Sequence, residues 1–165
     1  MNAALPFVAA PLPVPPVALA HLEVTVPGTP QGARRIRAFV RGKHAAVHPD
    51  DKHVRAEAQL RVALAAAWNG RPPLDCPVAL EVVAYHARPE RLRRRKDRGT
   101  GEALFIGKPD ADNVAKLVMD AITKAGVWRD DTRVADLHVR RRYIALDADG
   151  NDLGVERVVI RVLTP

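Results

Sequence analysis

Apolar positions along the chain repeat with a period of two in some stretches and of three to four in others. From His21 to Val26 they alternate, with Leu22, Val24 and Val26 on one face, which predicts a strand. Pro27-Gly28-Thr29-Pro30 follows as a turn. Between residues 34 and 43 the apolar Ile36, Phe39 and Val40 interleave with Arg34, Arg35, Arg37, Arg41 and Lys43, the pattern of a hairpin with one basic face. Asp50 or Asp51 caps a first helix running through Val54, Ala58, Leu60, Val62, Leu64 and Ala65 to about Trp68, where Asn69-Gly70 stops it. Pro77 to His86 predicts a second strand. Val114, Leu117, Val118, Ala121, Ile122 and Ala125 form the buried stripe of a second helix, with Gly126 as its stop. Val134 to Tyr143, with Val134, Leu137 and Val139 inward, and Val155 to Leu163 complete the strands. The pattern predicts one α+β domain over residues 21–165, a mixed sheet with two main helices. The proline-broken residues 1–20 are expected to be a flexible leader.

Composition narrows the chemistry. The 165 residues are 47% apolar, enough for one real core, and carry a formal charge of +7. A pI of about 10.2 favours polyanionic partners, nucleic acid first among them. Cys76 is the only cysteine, which excludes a disulfide framework and a thiolate zinc site and predicts a reducing cytosol. No apolar run reaches the roughly 18 residues of a membrane span. His44, His48 and His53 lack the arrangement of a zinc motif and are expected to be ordinary loop and helix-start residues. Residues 147–152 look like a calcium loop, but Val158 stands where the closing Glu belongs, so a hairpin turn is expected.

The candidate chemistry lies between Lys108 and Asp131. Asp110 and Asp112 precede the second helix, Lys116 and Asp120 follow at steps of four on the side that carries Asp112, and Asp130-Asp131 come after the helix has turned. Each has a plain structural explanation as a cap, a solvated ion pair or a polar turn. Crowded carboxylates repel one another, and a hard divalent cation is their natural relief. Upstream, residues 88–104 hold Arg88, Arg91, Arg93, Arg94, Arg95, Lys96 and Arg98 and predict a mobile basic loop. Acids that hold a metal beside bases that draw in a backbone are what an enzyme acting on nucleic-acid phosphates needs. Arg34, Arg35, Arg37, Arg93, Arg94, Arg95, Lys96 and Lys108 are the candidate DNA contacts.

KPDADNVAKLVMDAI, then GVWRDD, then VADLHVRRRY resembles the RusA family of Holliday-junction resolvases, common in prophages. The likeness is tightest over residues 108–142 and extends, through Val26-Pro27-Gly28-x-Pro30, to most of the chain. It implies a bacterial or phage-encoded cytoplasmic endodeoxyribonuclease that acts on four-way junctions as a homodimer. It also implies Mg²⁺, with Mn²⁺ able to substitute, at Asp110, Asp112 and Asp131, a catalytic lysine at Lys116, and supporting acids at Asp120 and Asp130. The leader and the 88–104 loop depart from the family's compact core. Two other readings stay open: a noncatalytic basic nucleic-acid-binding protein, and a nuclease for flaps or replication forks.

Overall fold

The computed structural model describes residues 20–33, 38–41, 44–47 and 51–164. Its elements in chain order are β1 (Ala20–Pro27), β2 (Ala38–Arg41), β3 (His44–Val47), α1 (Asp51–Trp68), β4 (Val78–His86), β5 (Ala103–Leu104), α2 (Ala111–Lys124), β6 (Val134–Tyr143) and β7 (Arg157–Leu163). Five strands form one mixed sheet in the order β1-β7-β4-β6-β5, and β2 pairs with β3 as a separate antiparallel hairpin. Within this sheet β4 and β6 are the parallel pair among the described strands, and the other neighbours are antiparallel. Parallel neighbours need a crossover, and the segment carrying α2 provides it. The expected α+β architecture, a mixed sheet with two helices, is observed. The leader and the cap position Asp50 lie outside the described residues.

Strict alternation places Leu22, Val24 and Val26 of β1, Val78, Leu80, Val82 and Ala84 of β4, and Val158, Ile160 and Val162 of β7 on one buried face. Both helices pack against that face. α2 supplies Val114, Leu117, Val118, Ala121 and Ile122, while α1 supplies Leu60, Leu64 and Trp68. Among the described residues the opposite face of the sheet carries no helix. Val54 and Val62 of α1 remain largely exposed.

Two expectations change. Val134 and Val139 of β6 are half-buried against the core, but Leu137 is 45% exposed. β5 pairs only with Tyr143 and Arg142, so the rest of β6 stands at the sheet edge, where cover from the helices ends. Residues 88–104, expected as a mobile charged loop, contain two 3₁₀ turns (Glu90–Leu92 and Arg95–Asp97) and β5. Arg88 is buried, donating from Nε to the Ile144 carbonyl (2.9 Å) and through its other nitrogens to Thr100 and Gly101. Gly99 N–H to Asp147 O (2.7 Å) and Leu146 N–H to Thr100 O (3.0 Å) tie this segment to the 147–152 turn. That turn is the expected hairpin: the Asp147 carboxylate accepts from the amides of Asp149 and Asn151, which holds its carboxyl below the usual range.

Candidate active site

The start of α2 organises a polar cleft of about 330 Å³ lined by the 29–33 loop, His86, Lys108, Pro109, Asp110 and Asn113. Asp110 occupies the N-cap position in an extended conformation, and its carbonyl accepts the first helical bond from Val114 N–H (3.1 Å). Its side chain does not cap the helix. Asp110, Asp112 and Lys116 are exposed, and among the described residues their side chains form no hydrogen bond or ion pair. The cap and the i,i+4 ion pair that would explain these residues structurally are therefore not made. Helix-start amides also favour negative charge beside them.

Several devices hold the cleft. Arg141 Nη1 donates to the Gly107 carbonyl (2.7 Å) and to the Pro109 carbonyl (2.9 Å), pinning the approach to Asp110, where the Lys108–Pro109 bond is cis. Ala33 N–H donates to Asn113 O (2.7 Å), which fastens the 29–33 loop onto α2. The Thr29 hydroxyl and the Ala87 amide both donate to the Glu156 carboxylate, closing the loop's other end. Gly32 sits so close that a Cβ there would lie 2.7 Å from Pro109 Cβ and 2.9 Å from Asn113 Cβ. Both neighbours are tied to backbone and cannot swing away. Gly32→Ala should therefore lower stability by about 1–3 kcal/mol, as overpacking does, and reduce DNA cleavage by prising the loop from the helix. A thermal melt checks this; an unchanged midpoint would mean that the loop moves without cost.

His86, at the end of β4, was not a sequence candidate. It is buried, stacks on Phe105 (3.7 Å between ring centroids, 13° between planes), and its Nε2 has no hydrogen-bond partner among the described residues. Burial lowers its pKa, the nearby Glu156 opposes that, and Arg141 adds to it. Arg141 was equally invisible, since the Arg140-Arg141-Arg142 run reads simply as a charged strand end.

The acids beyond α2 are arranged differently. α2 ends in a left-handed Gly126 with Gly126 N–H to Thr123 O (3.0 Å) and Val127 N–H to Ile122 O (3.2 Å), the expected stop. Trp128 is then buried, its Nε1 donating to Thr123 Oγ1 (2.7 Å). Asp130 caps the 3₁₀ turn Asp131–Arg133 through Thr132 N–H (2.9 Å), and that bond holds its carboxyl below the usual range. Asp131 is exposed and Asp120 half-buried. Among the described residues no three His, Cys, Asp or Glu side chains gather closely enough to hold a metal ion. Asp110, Asp112 and Asp131 are thus not drawn into one cage in this chain.

Of the candidate DNA contacts, Arg94, Arg95, Lys96 and Lys108 are exposed. Arg93 is engaged within the fold, by Asp152 and by the carbonyls of Arg88 (2.7 Å) and Gly150 (3.2 Å). Arg34, Arg35 and Arg37 lie outside the described residues, as does His48. His53 is structural, with Nδ1 donating to Gly32 O (3.3 Å).

The family described as Endodeoxyribonuclease RusA matches residues 27–160, which include both helices, β4, β5 and β6 whole, the first four residues of β7 and only Pro27 of β1. The chain belongs to the RusA family. It is therefore an endodeoxyribonuclease, a hydrolase acting on DNA, of a family that resolves Holliday junctions. RusA nucleases are in general metal-dependent, and the hard carboxylate oxygens of Asp110 and Asp112, without partners among the described residues, suit such an ion. Against curated proteins the chain shows no significant match. No helix among the described residues is long and apolar enough to cross a membrane.

Proposed function

We propose that this RusA protein resolves four-way DNA junctions by paired, symmetric, Mg²⁺-dependent hydrolysis, with Asp110, Asp112 and Asp131 as metal ligands and Lys116 as a catalytic residue. The observation that carries this reading is the start of α2, where two exposed carboxylates separated by Ala111 have neither capping nor ion-pair partners among the described residues. Mg²⁺ takes one or two carboxylates and fills its remaining positions with water and substrate phosphate oxygens, so a closed protein cage is not required beforehand. When bound, such an ion lowers the pKa of a water and offsets charge on the phosphate.

The chain's own residues supply the rest. Asp110 and Asp112 fix the position of the ion at a helix start pinned by Arg141. Lys116, one turn on from Asp112, extends a mobile ammonium towards the charge that develops on the phosphate or the leaving oxygen. Asp120 lies on the same helix side, and Asp130 supports Asp131 by capping its turn. Exposed Lys108, Arg94, Arg95 and Lys96 hold the DNA backbone. The products are 5′-phosphate and 3′-hydroxyl ends.

A junction is nearly two-fold symmetric, and a C₂ dimer offers two matching sites. Val54, Ala58 and Val62, at steps of four on α1, leave an exposed apolar stripe that we assign to the contact between copies. Incubation of the purified protein with a labelled four-way junction tests the whole reading. Symmetric paired nicks that appear only with Mg²⁺ or Mn²⁺ are expected. Binding without cutting would instead make this chain a noncatalytic DNA-binding member, and equal cutting of flaps or forks would remove the junction preference.

A further inference from the structure

The helix-free face of the sheet carries a second pattern, at the end of the strands beside His86. Phe105 turns inward onto His86 and Tyr143, so its two chain neighbours face outward. Leu104 is 70% exposed and Ile106 85%. Residues directly opposite in neighbouring strands share a face. Leu104 of β5 stands opposite Arg142 of β6, Arg142 beside Tyr85 of β4, and Tyr85 opposite Arg157 of β7. These four residues form one row across four strands. Arg140, two residues from Arg142, lies on the same face and is exposed.

The row differs in kind from the rest of that face. Lower down, Arg161 is matched by carboxylates, Glu23 at 3.1 Å and Glu81 at 3.6 Å. Among the described residues Arg140 and Arg142 have no carboxylate partner. Arg157 stacks over the Tyr85 ring at 4.0 Å, and burial, then the nearby Glu102, raise the pKa of the Tyr85 hydroxyl. The platform is also rigid, since Phe105 N–H donates to Arg141 O (3.2 Å) and Arg141 clamps Gly107 and Pro109.

We propose that Leu104, Ile106, Arg140, Arg142, Tyr85 and Arg157 form a DNA-binding surface for the unstacked bases at a junction's branch point. Aliphatic tips flanked by guanidinium groups fit that occupant: apolar side chains abut exposed base faces, and arginines hold the phosphates on either side. A surface built only for phosphates has no use for Leu104 and Ile106 in water, and an apolar contact between copies has none for unpaired arginines. The same Arg141 bonds link this platform to Asp110, so a branch point seated here lies against the strand to be cut. The proposal rests on the junction reading above.

The test uses the full chain, a four-way junction with 2-aminopurine beside the branch point, and a duplex of equal length, all in EDTA. For Leu104→Ser/Ile106→Ser, unchanged duplex binding, at least about tenfold weaker junction binding and loss of the 2-aminopurine fluorescence rise are expected. Arg140→Gln/Arg142→Gln should weaken both DNAs and reduce the salt slope by about two. Junction affinity and fluorescence like wild type, in variants with a native thermal midpoint, would overturn the proposal. A dimer-to-monomer change by light scattering would overturn it too, making the face an interface between copies. Wild-type protein that binds junctions but fails to cut with Mg²⁺ overturns only the nuclease reading, and the binding ratios still decide this surface. Wild-type protein that binds neither DNA overturns both.

Discussion

Asp112→Asn is expected to abolish metal-dependent cleavage, by roughly 10²–10³-fold, while the protein binds junctions as well as before or more tightly. The size follows from the several kcal/mol that a bound cation contributes at the transition state, at about 1.4 kcal/mol per factor of ten. The direction for binding follows from charge, since the substitution raises a formal +7 by one and removes a repulsive carboxylate from the DNA's path. Asp112 is exposed in the first turn of α2 and bonds nothing among the described residues, so the fold should not notice the change. That combination separates chemistry from structure. A thermal midpoint that stays put while cleavage disappears supports a metal ligand. Cleavage within a few-fold of wild type would remove Asp112 from the site.

The residues that reveal themselves in the sequence are those whose role is set by short-range geometry. The stripe of α2, its Gly126 stop and the alternation of β1, β4 and β7 depend on spacings of two or four residues, and each appears where the pattern puts it. Asp110, Asp112 and Lys116 stand at the start of α2 as helical spacing puts them, and their proposed roles rest on the family rather than on that placement. What the sequence hides is long-range. Leu137 has the apolar identity of an inward residue, but its exposure depends on β6 being nearly the sheet edge, which no local window contains. Arg88, Arg93 and Arg141 look like solvated charge, yet their partners lie up to 59 residues away: Asp152 for Arg93, Ile144 for Arg88, and Gly107 and Pro109 for Arg141. A guanidinium carries five donors in a fixed fork, so it can organise several carbonyls at once, and composition alone cannot separate that use from phosphate binding. His86 belongs with them, since its place in the cleft comes from the end of β4 meeting the α2 approach.

Trp128→Ala is expected to be the most destabilising single change at the site, by about 3–5 kcal/mol, the usual cost of removing a buried indole. Trp128 is fully enclosed between the end of α2 and the turn that carries Asp130 and Asp131, its Nε1 bonded to Thr123 and its backbone bridged to Leu74. Against a typical total of 5–15 kcal/mol, that loss leaves a marginal fold and a much lower thermal midpoint. Cleavage should fall as well, because Asp131 follows Trp128 by three residues on a short 3₁₀ turn whose other ties, the Asp130 cap and the Arg133–Asp75 pair (2.6 Å), lie at the surface. Trp128→Phe decides whether the second effect is more than unfolding. Phenylalanine keeps most of the packing and loses the hydrogen bond to Thr123, a net cost of about 1 kcal/mol, plus the unmade bond of the hydroxyl. If Asp131 contributes to the metal site through this anchor, the Phe variant stays folded at the assay temperature and requires more Mg²⁺ for half-maximal cutting. An unaltered Mg²⁺ requirement in a folded Phe variant would mean that the turn keeps Asp131 in place without the indole bond.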